Sequence, residues 1–391
     1  MHRLTSRRLI GSVIFFILLL GTHPSSAQDT CNLRISLLTC SPGEELYSTF
    51  GHTAIRVTNR STGTDIVYNY GTFDFDDPHF YTKFVRGNLP YYLSQETFPD
   101  FVEAYRQDNR SVSEQLLDLS CVEKTGLQEA LFTNMQEINR AYKYDYLFDN
   151  CTTRARDMIL RNSPPRLKIS SIIGPEAVTF RDHIHVYLDR GNQFWSKLGI
   201  DILLGSKLDR PMTNVEATFL PDFLEKSMDS TFVGTRPLIA SKILISTKTT
   251  SLIGMTPWWQ RPRTLLWSVL LAYIVITLLP FSRRKRIMNF ADALLFLIIG
   301  LLGSLLLFLW TGTDQYFFSY NYNLLWAWPT HFIAAFLLHR NTTLLRRYFL
   351  LSFILTLITL AGWKVLPQQL HPDLTPIIIL LAWRSFRRAF S

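Results

Sequence analysis

Apolar and polar residues follow two different rhythms along this chain, and the change falls near residue 264. Ahead of it, short runs are separated by turn signals. Residues 33–38 predict a strand that ends at Ser41-Pro42-Gly43, and Glu44 to Phe50 is a short amphipathic stretch. Gly51 to Val57 and Asp65 to Gly71, joined across Ser61-Thr62-Gly63, predict a hairpin with His52 at its entry. Residues 97–107 predict a helix, 112–119 a strand and 123–142 a second helix. The aromatic stretch 72–93 is irregular and suits core or the wall of an apolar cleft. Tyr144 to Phe148 leads into Cys151, and Ala155, Met158 and Ile159 continue at helical spacing. Asp149 or Asn150 is therefore the N-cap, with Cys151 in the first turn. Residues 164–250 are less legible: Pro164-Pro165 and Gly174-Pro175 mark loops, and the apolar 201–205 and 219–224 read as packing segments.

After the change, apolar segments at 264–281, 290–311, 324–339, 347–363 and 374–386 predict five membrane spans, preceded by a linker over 251–263. Arg283-Arg284-Lys285-Arg286 follows the first, Arg340, Arg346 and Arg347 the third, and Arg384, Arg387 and Arg388 the fifth. The loops at 311–323 and 364–374 hold one Lys and two Asp. Basic loops stay in the cytoplasm, so the first span begins outside. The N-terminus agrees: Arg7-Arg8, an apolar run from Leu9 to Leu20, and Ser25-Ser26-Ala27 before Gln28 read as a signal peptide over 1–27. Residues 28–250 are then an exported domain on the non-cytoplasmic face of the membrane. Within the spans, Asp292 is expected at the interface, while His331 lies deeper.

Composition fits a part-membrane chain: 47% hydrophobic, 14% aromatic and 18% charged. The net charge of +9 is unevenly spread. Residues 1–27 carry three arginines and no acid, and 261–391 carry 13 Lys/Arg against three Asp/Glu, leaving −4 for 28–260. A mildly acidic soluble part argues against nucleic acid as a partner.

The four cysteines are Cys31, Cys40, Cys121 and Cys151. One bridge among the first three leaves Cys151 free, with one thiol over, and the pair is not determined by sequence. At a helix N-terminus the free N–H groups and the dipole favour a thiolate, whereas the plainer role is a structural cysteine. A nucleophilic thiol needs a base and a group to orient it. His52 is the best-placed histidine, and Asn69 on the neighbouring strand completes a Cys/His/Asn set. His183-Ile184-His185 offers two imidazoles on one strand face, but no further Cys/His cluster joins them, so neither a metal nor another cofactor is expected.

A histidine-bearing hairpin followed by Asn150-Cys151 at a helix start resembles the circularly permuted papain-like enzymes, including the lecithin–retinol acyltransferase group and relatives of NlpC-type peptidases. A closer resemblance is to the Lnb family of lipoprotein N-acyltransferases. It is carried by 38–43 (Leu38 to Gly43), Phe50-Gly51-His52-Thr53, Tyr68-Asn69-Tyr70-Gly71, 84–89, Phe148-Asp149-Asn150-Cys151-Thr152-Thr153-Arg154 and Asn321-Tyr322-Asn323. The resemblance implies an α+β, NlpC-like thiol domain followed by a five-helix transmembrane domain. It also implies Cys151 as nucleophile, His52 as base, and an oxyanion held by the Cys151 N–H with the Asn150 side chain or Tyr47. Its substrates would be a phospholipid acyl donor and a diacylated lipoprotein acceptor, met at the membrane. Two other classes share these residues: a membrane-tethered cell-wall peptidase or amidase, and a non-catalytic scaffold with a structural Cys151. The aromatic wealth of 68–92 and of Tyr316 to Trp328 favours a lipid substrate over a polar one.

Overall fold

A computed structural model describes residues 31–390, apart from 75, 80, 81, 84, 85, 165, 166, 175, 248–255, 281 and 341. The signal peptide, Phe75, Phe80, Tyr81, Phe84, Pro165, Pro175 and the first part of the linker fall outside these residues.

Strand β1 (Leu33–Cys40) is buried at nearly every position, as a strand covered on both faces must be. It pairs antiparallel with β2 (His52–Asn59), which forms the predicted hairpin with β3 (Thr64–Thr72). β4 (Pro90–Thr97) pairs with β3, with a register shift between Asn69 and Thr72. Helix α1 (Phe98–Gln107) follows at once, capped by the Thr97 hydroxyl. β5 (Val112–Leu117) returns beside β1.

The predicted long helix over 123–142 is interrupted. α2 (Cys121–Met135) opens on a Ser120/Glu123 capping box, α3 (Glu137–Arg140) is one turn, and Ala141–Lys143 forms β6 on the edge of β4. α4 (Cys151–Arg161), α5 (Phe180–Arg190), α6 (Phe194–Leu203) and α7 (Pro221–Asp229) come next. A short hairpin, β7 (Phe232–Val233) with β8 (Arg236–Pro237), leads to β9 (Ile239–Ser246), which pairs with β5. The sheet order is β6-β4-β3-β2-β1-β5-β9, with every pairing antiparallel. This is an α+β domain.

Its two faces carry different helices. Ile35, Leu37, Ile55, Val57, Tyr68 and Tyr70 pack against α2, α4 and α7, whereas Leu38, Cys40, Ala54 and Val67 pack under Phe101 and Val102 of α1. A disulfide between Cys31 and Cys121 ties the entry of β1 to the first residue of α2 across 90 residues of sequence. Cys40 is the buried thiol left over.

The membrane part contains α8 (Pro262–Leu278), α9 (Arg284–Gly312), α10 (His331–Leu337), α11 (Thr343–Ala361) and α12 (Thr375–Ala389). The third expected span is not one continuous helix: a 3₁₀ turn over Tyr322–Leu325 and a bend precede the seven residues of α10. Its backbone lies against α9, where a Cβ on Gly303 would collide with the Ala327 carbonyl oxygen. Asp292 is fully buried among the helices. It accepts from Arg384 Nε and Nη2 (2.6 and 2.8 Å) and from Arg388 Nε (2.8 Å), which offset the cost of burying its charge. His331 Nδ1 lies 2.6 Å from the Tyr348 hydroxyl.

The two parts meet at the C-terminus of α6. Its last carbonyls have no partner within the helix. Asn321 Nδ2 donates to Ile202 O and Leu203 O (2.8 and 2.9 Å), Asn323 Nδ2 to Ile202 O (3.2 Å), and Gln368 Nε2 to Leu204 O (2.9 Å). Buried Arg181 holds Asp201 and Asp209 just beneath.

Candidate active site

His52 is the first residue of β2, and Cys151 the first of α4. Gly51, with φ of +80°, turns the chain into β2; a Cβ there would stand 2.6 Å from the Cys40 carbonyl oxygen, so only glycine lets the strand start so close to β1. The cross-strand register then brings Cys40 opposite His52 and Ala54 opposite Asn69. His52 Nε2 lies 3.1 Å from Asn69 Oδ1, and Asn69 Nδ2 donates to Glu96 Oε1 at 2.7 Å. Tyr105 of α1 stacks beside the imidazole, centroids 6.5 Å apart.

Cys151 is half-buried and reaches this group from the other face of the sheet. The Thr53 and Thr152 hydroxyls, both fully buried, bond at 3.0 Å and lock the start of β2 to the first turn of α4. Cys151 Sγ lies 3.8 Å from Thr152 Oγ1, and the His52 ring and the Thr53 N–H are close enough to act on its charge. Burial alone would push the thiol up, but the imidazolium charge and these polar neighbours outweigh it, and its pKa falls below the ordinary thiol value. For His52, burial pushes down, the thiolate and the bond to Asn69 push up more, and the net shift is upward despite the nearby Arg110 charge. Thiolate and imidazolium therefore stabilise each other. Cys40, by contrast, is pushed by burial up to about 12 and stays a thiol.

The remaining expectations fare differently. Asn150 is the N-cap, its Oδ1 accepting from the Thr152 and Thr153 N–H groups (2.8 and 2.9 Å). Both its amide hydrogens are also engaged, by Tyr146 O and Phe219 O (2.8 and 2.9 Å), so no donor remains for an oxyanion. Tyr47 is 77% exposed, and among the described residues no hydrogen bond or ring contact joins it to Cys151. His183 and His185 lie on α5, a helix, not on a strand. Two residues apart on a helix they diverge: His183 stacks on Phe223 (3.8 Å) and His185 Nε2 meets Asp201 Oδ1 (2.8 Å). No group of three His, Cys, Asp or Glu that could hold a metal occurs among the described residues.

Sequence reasoning missed Glu96, Thr53 and Thr152. Glu96 reaches Asn69 only through the β3–β4 register, in which Val67 faces Glu96 and Asn69 faces Ser94, and no local pattern announces it.

On the membrane side, the Phe148 ring meets the Tyr316 ring at 5.6 Å, and Lys207 Nζ lies 5.4 and 4.8 Å from the Tyr316 and Tyr320 ring centroids. The aromatic loop that leaves α9 thus touches the segment entering α4. The arrangement can attack a carbonyl as a thiolate and shuttle a proton through His52, with aromatic rings of the membrane part nearby.

Residues 23–186 match the family model of the Lnb N-terminal periplasmic domain, and residues 255–391 that of the Lnb transmembrane domain. No curated protein and no solved structure matches the chain. With both halves matched in order, the chain belongs to the Lnb family, as a periplasmic N-terminal domain anchored by a transmembrane domain.

Proposed function

We propose that this protein is a lipoprotein N-acyltransferase that carries the acyl chain on Cys151. His52 takes the Sγ proton, and the thiolate attacks an ester carbonyl carbon of a membrane phospholipid. The tetrahedral oxyanion collapses, the C–O bond breaks, and the departing glycerol oxygen takes the proton from His52. A lysophospholipid leaves and a thioester remains. The acceptor is the α-amino group of a lipoprotein's diacylglyceryl-cysteine, partly unprotonated near neutral pH because such amines have a pKa of about 8. Its nitrogen attacks the thioester, His52 takes the proton released, and the Cys151 thiolate is expelled as the amide forms.

Asn69 acts here as the orienting group. The Cys151 N–H, at the first helical position and so without an intrahelical acceptor, is one oxyanion donor. The order His52 before Cys151, on an antiparallel sheet with α4 across it, supports a circularly permuted papain-like domain over 28–250, since β9 is hydrogen-bonded into the same sheet. A linker over 251–263 and a membrane domain over 264–391 would complete the chain in the inner membrane.

The observation that carries the reading is the contact of Phe148, three residues before the thiol, with Tyr316 of the membrane part. It supports a lipid substrate over a polar one.

Purified protein incubated with phospholipid is expected to form a hydroxylamine-sensitive acyl adduct on Cys151, and Cys151→Ser and His52→Ala to abolish it. Undiminished lipoprotein N-acylation by Cys151→Ser would sink the mechanism.

A further inference from the structure

With the Asn150 amide committed and Tyr47 on the surface, the thiol has only its own N–H as an assigned oxyanion donor. Tyr142, on the edge strand β6, supplies another. Its side chain is buried, with 9% of the residue exposed, and no acceptor takes its hydroxyl proton. A buried O–H without an acceptor is costly and suits a group held ready for an acceptor that comes and goes.

The surroundings show what it is held against. The position a Cβ would take on Gly71 lies 3.5 Å from Cys151 Cβ, 3.8 Å from the Tyr144 ring and 3.9 Å from the Tyr142 hydroxyl. A β-carbon there would touch both the nucleophile and the phenol, so the two flank Gly71 at the point where β3 loses register with β4. The Gly71 N–H faces the phenol oxygen, and no acceptor takes the phenol proton. Burial pushes this phenol's pKa up, so it remains a proton-bearing donor throughout the working range.

The ring is clamped from behind. The Arg154 guanidinium carbon stands 3.5 Å from the Tyr142 ring centroid. Asp149 holds that guanidinium in place by accepting from Arg154 Nε and Nη2 (2.6 and 2.8 Å). A cation over the ring draws electron density from it and makes the hydroxyl a stronger donor. The two charged residues flanking Asn150-Cys151 thus have a role that the thiol mechanism leaves unassigned.

We propose that the Tyr142 hydroxyl is the second oxyanion donor of the Cys151 site, positioned by the Arg154–Asp149 pair. This rests on the reading of Cys151 as an acyl carrier. As the C–S bond forms, the carbonyl π electrons move onto oxygen, which accepts from the Cys151 N–H and the Tyr142 O–H. No proton is transferred, and the C=O bond reforms when the alcohol leaves. Tyr146 also has a buried, unpartnered hydroxyl, but its ring is wedged between Phe50 and Phe219 in the neighbouring core.

Two reactions of the full-length protein in detergent separate the roles. Acylation by p-nitrophenyl butyrate passes through an oxyanion, whereas alkylation of Cys151 by iodoacetamide does not. Tyr142→Phe is expected to slow the p-nitrophenolate burst by roughly a hundredfold, the effect of losing one such donor. The alkylation rate and its pH midpoint should not move. Arg154→Met should slow the burst less, and Tyr146→Phe not at all. A burst of wild-type speed in Tyr142→Phe, an equal loss of burst and alkylation, or a loss that follows Tyr146→Phe instead would each overturn the assignment. Wild-type protein that is alkylated but never releases p-nitrophenolate would overturn the acyl-carrier reading itself.

Discussion

The tautomer of His52 is decided two side chains away. A carboxylate cannot donate, so Glu96 obliges Asn69 to present its NH₂ outward and its Oδ1 to the ring. His52 must then donate from Nε2 to Asn69, which leaves Nδ1 for the thiol. The His52–Asn69 pairing was legible in the sequence, because a hairpin aligns its own residues. Glu96 was not, since it belongs to a third strand across an irregular register. The charge state of the pair gives a prediction at this scale. Because the Cys151 pKa is lowered, its alkylation by iodoacetamide should rise with pH through a midpoint below the value of about 8.5 for a free cysteine. In His52→Ala the imidazolium charge is gone and burial dominates, so the midpoint should move above that value. A wild-type midpoint at or above the free-cysteine value would contradict the pairing.

At the scale of elements, helix α4 was readable because its signals are local. Asn150 caps it, with a side chain that accepts from Thr152 and Thr153 while Thr153 bonds back to the Asn150 N–H. Separate bonds from its amide hydrogens to the Tyr146 and Phe219 carbonyls leave it no donor for an oxyanion, and only the positions of those carbonyls reveal this. The segment around His183 misleads in the opposite direction. Alternating His-Ile-His suggests a strand, but the Thr179/Asp182 capping box starts a helix whose Phe180, Ile184, Tyr187 and Leu188 are buried at helical spacing. Asn150→Ala should lower stability by about 2 kcal/mol, the upper end for loss of a cap, because carbonyl partners are lost as well. The shift in thermal midpoint of the detergent-solubilised protein measures this, and Asn150→Asp, which keeps the cap acceptor, should lose less.

Across the whole molecule, the membrane part works as a mount for the periplasmic domain as well as an anchor. Asn321, Asn323 and Gln368 satisfy the open carbonyls of α6, and the aromatic turn beside them meets Phe148. Asn321 and Asn323 stand just ahead of the third apolar segment, in which only His331–Leu337 is α-helical. Replacing Asn321, Asn323 and Gln368 together by alanine should free the docking without touching the thiol. Transfer from phospholipid in proteoliposomes should then fall at least tenfold, a relative loss of about 1.4 kcal/mol, while alkylation of Cys151 keeps its rate. Equal loss of both would show that the interface merely holds the fold.

Local chemistry was written in the sequence: strand and helix periodicity, the caps, the hairpin that aligns His52 with Asn69, the apolar segments and their charged flanks. These depend on neighbours a few residues apart, or on a solvent that sorts residues by polarity. Tertiary structure alone decided which partners met across long separations. It chose Cys121 for Cys31, gave Asp292 two arginines from α12, turned the Asn150 amide hydrogens to the Tyr146 and Phe219 carbonyls, and set Glu96 behind Asn69 and Tyr142 beside Cys151. Such meetings follow from strand register and packing summed over the entire chain, which no window of sequence contains.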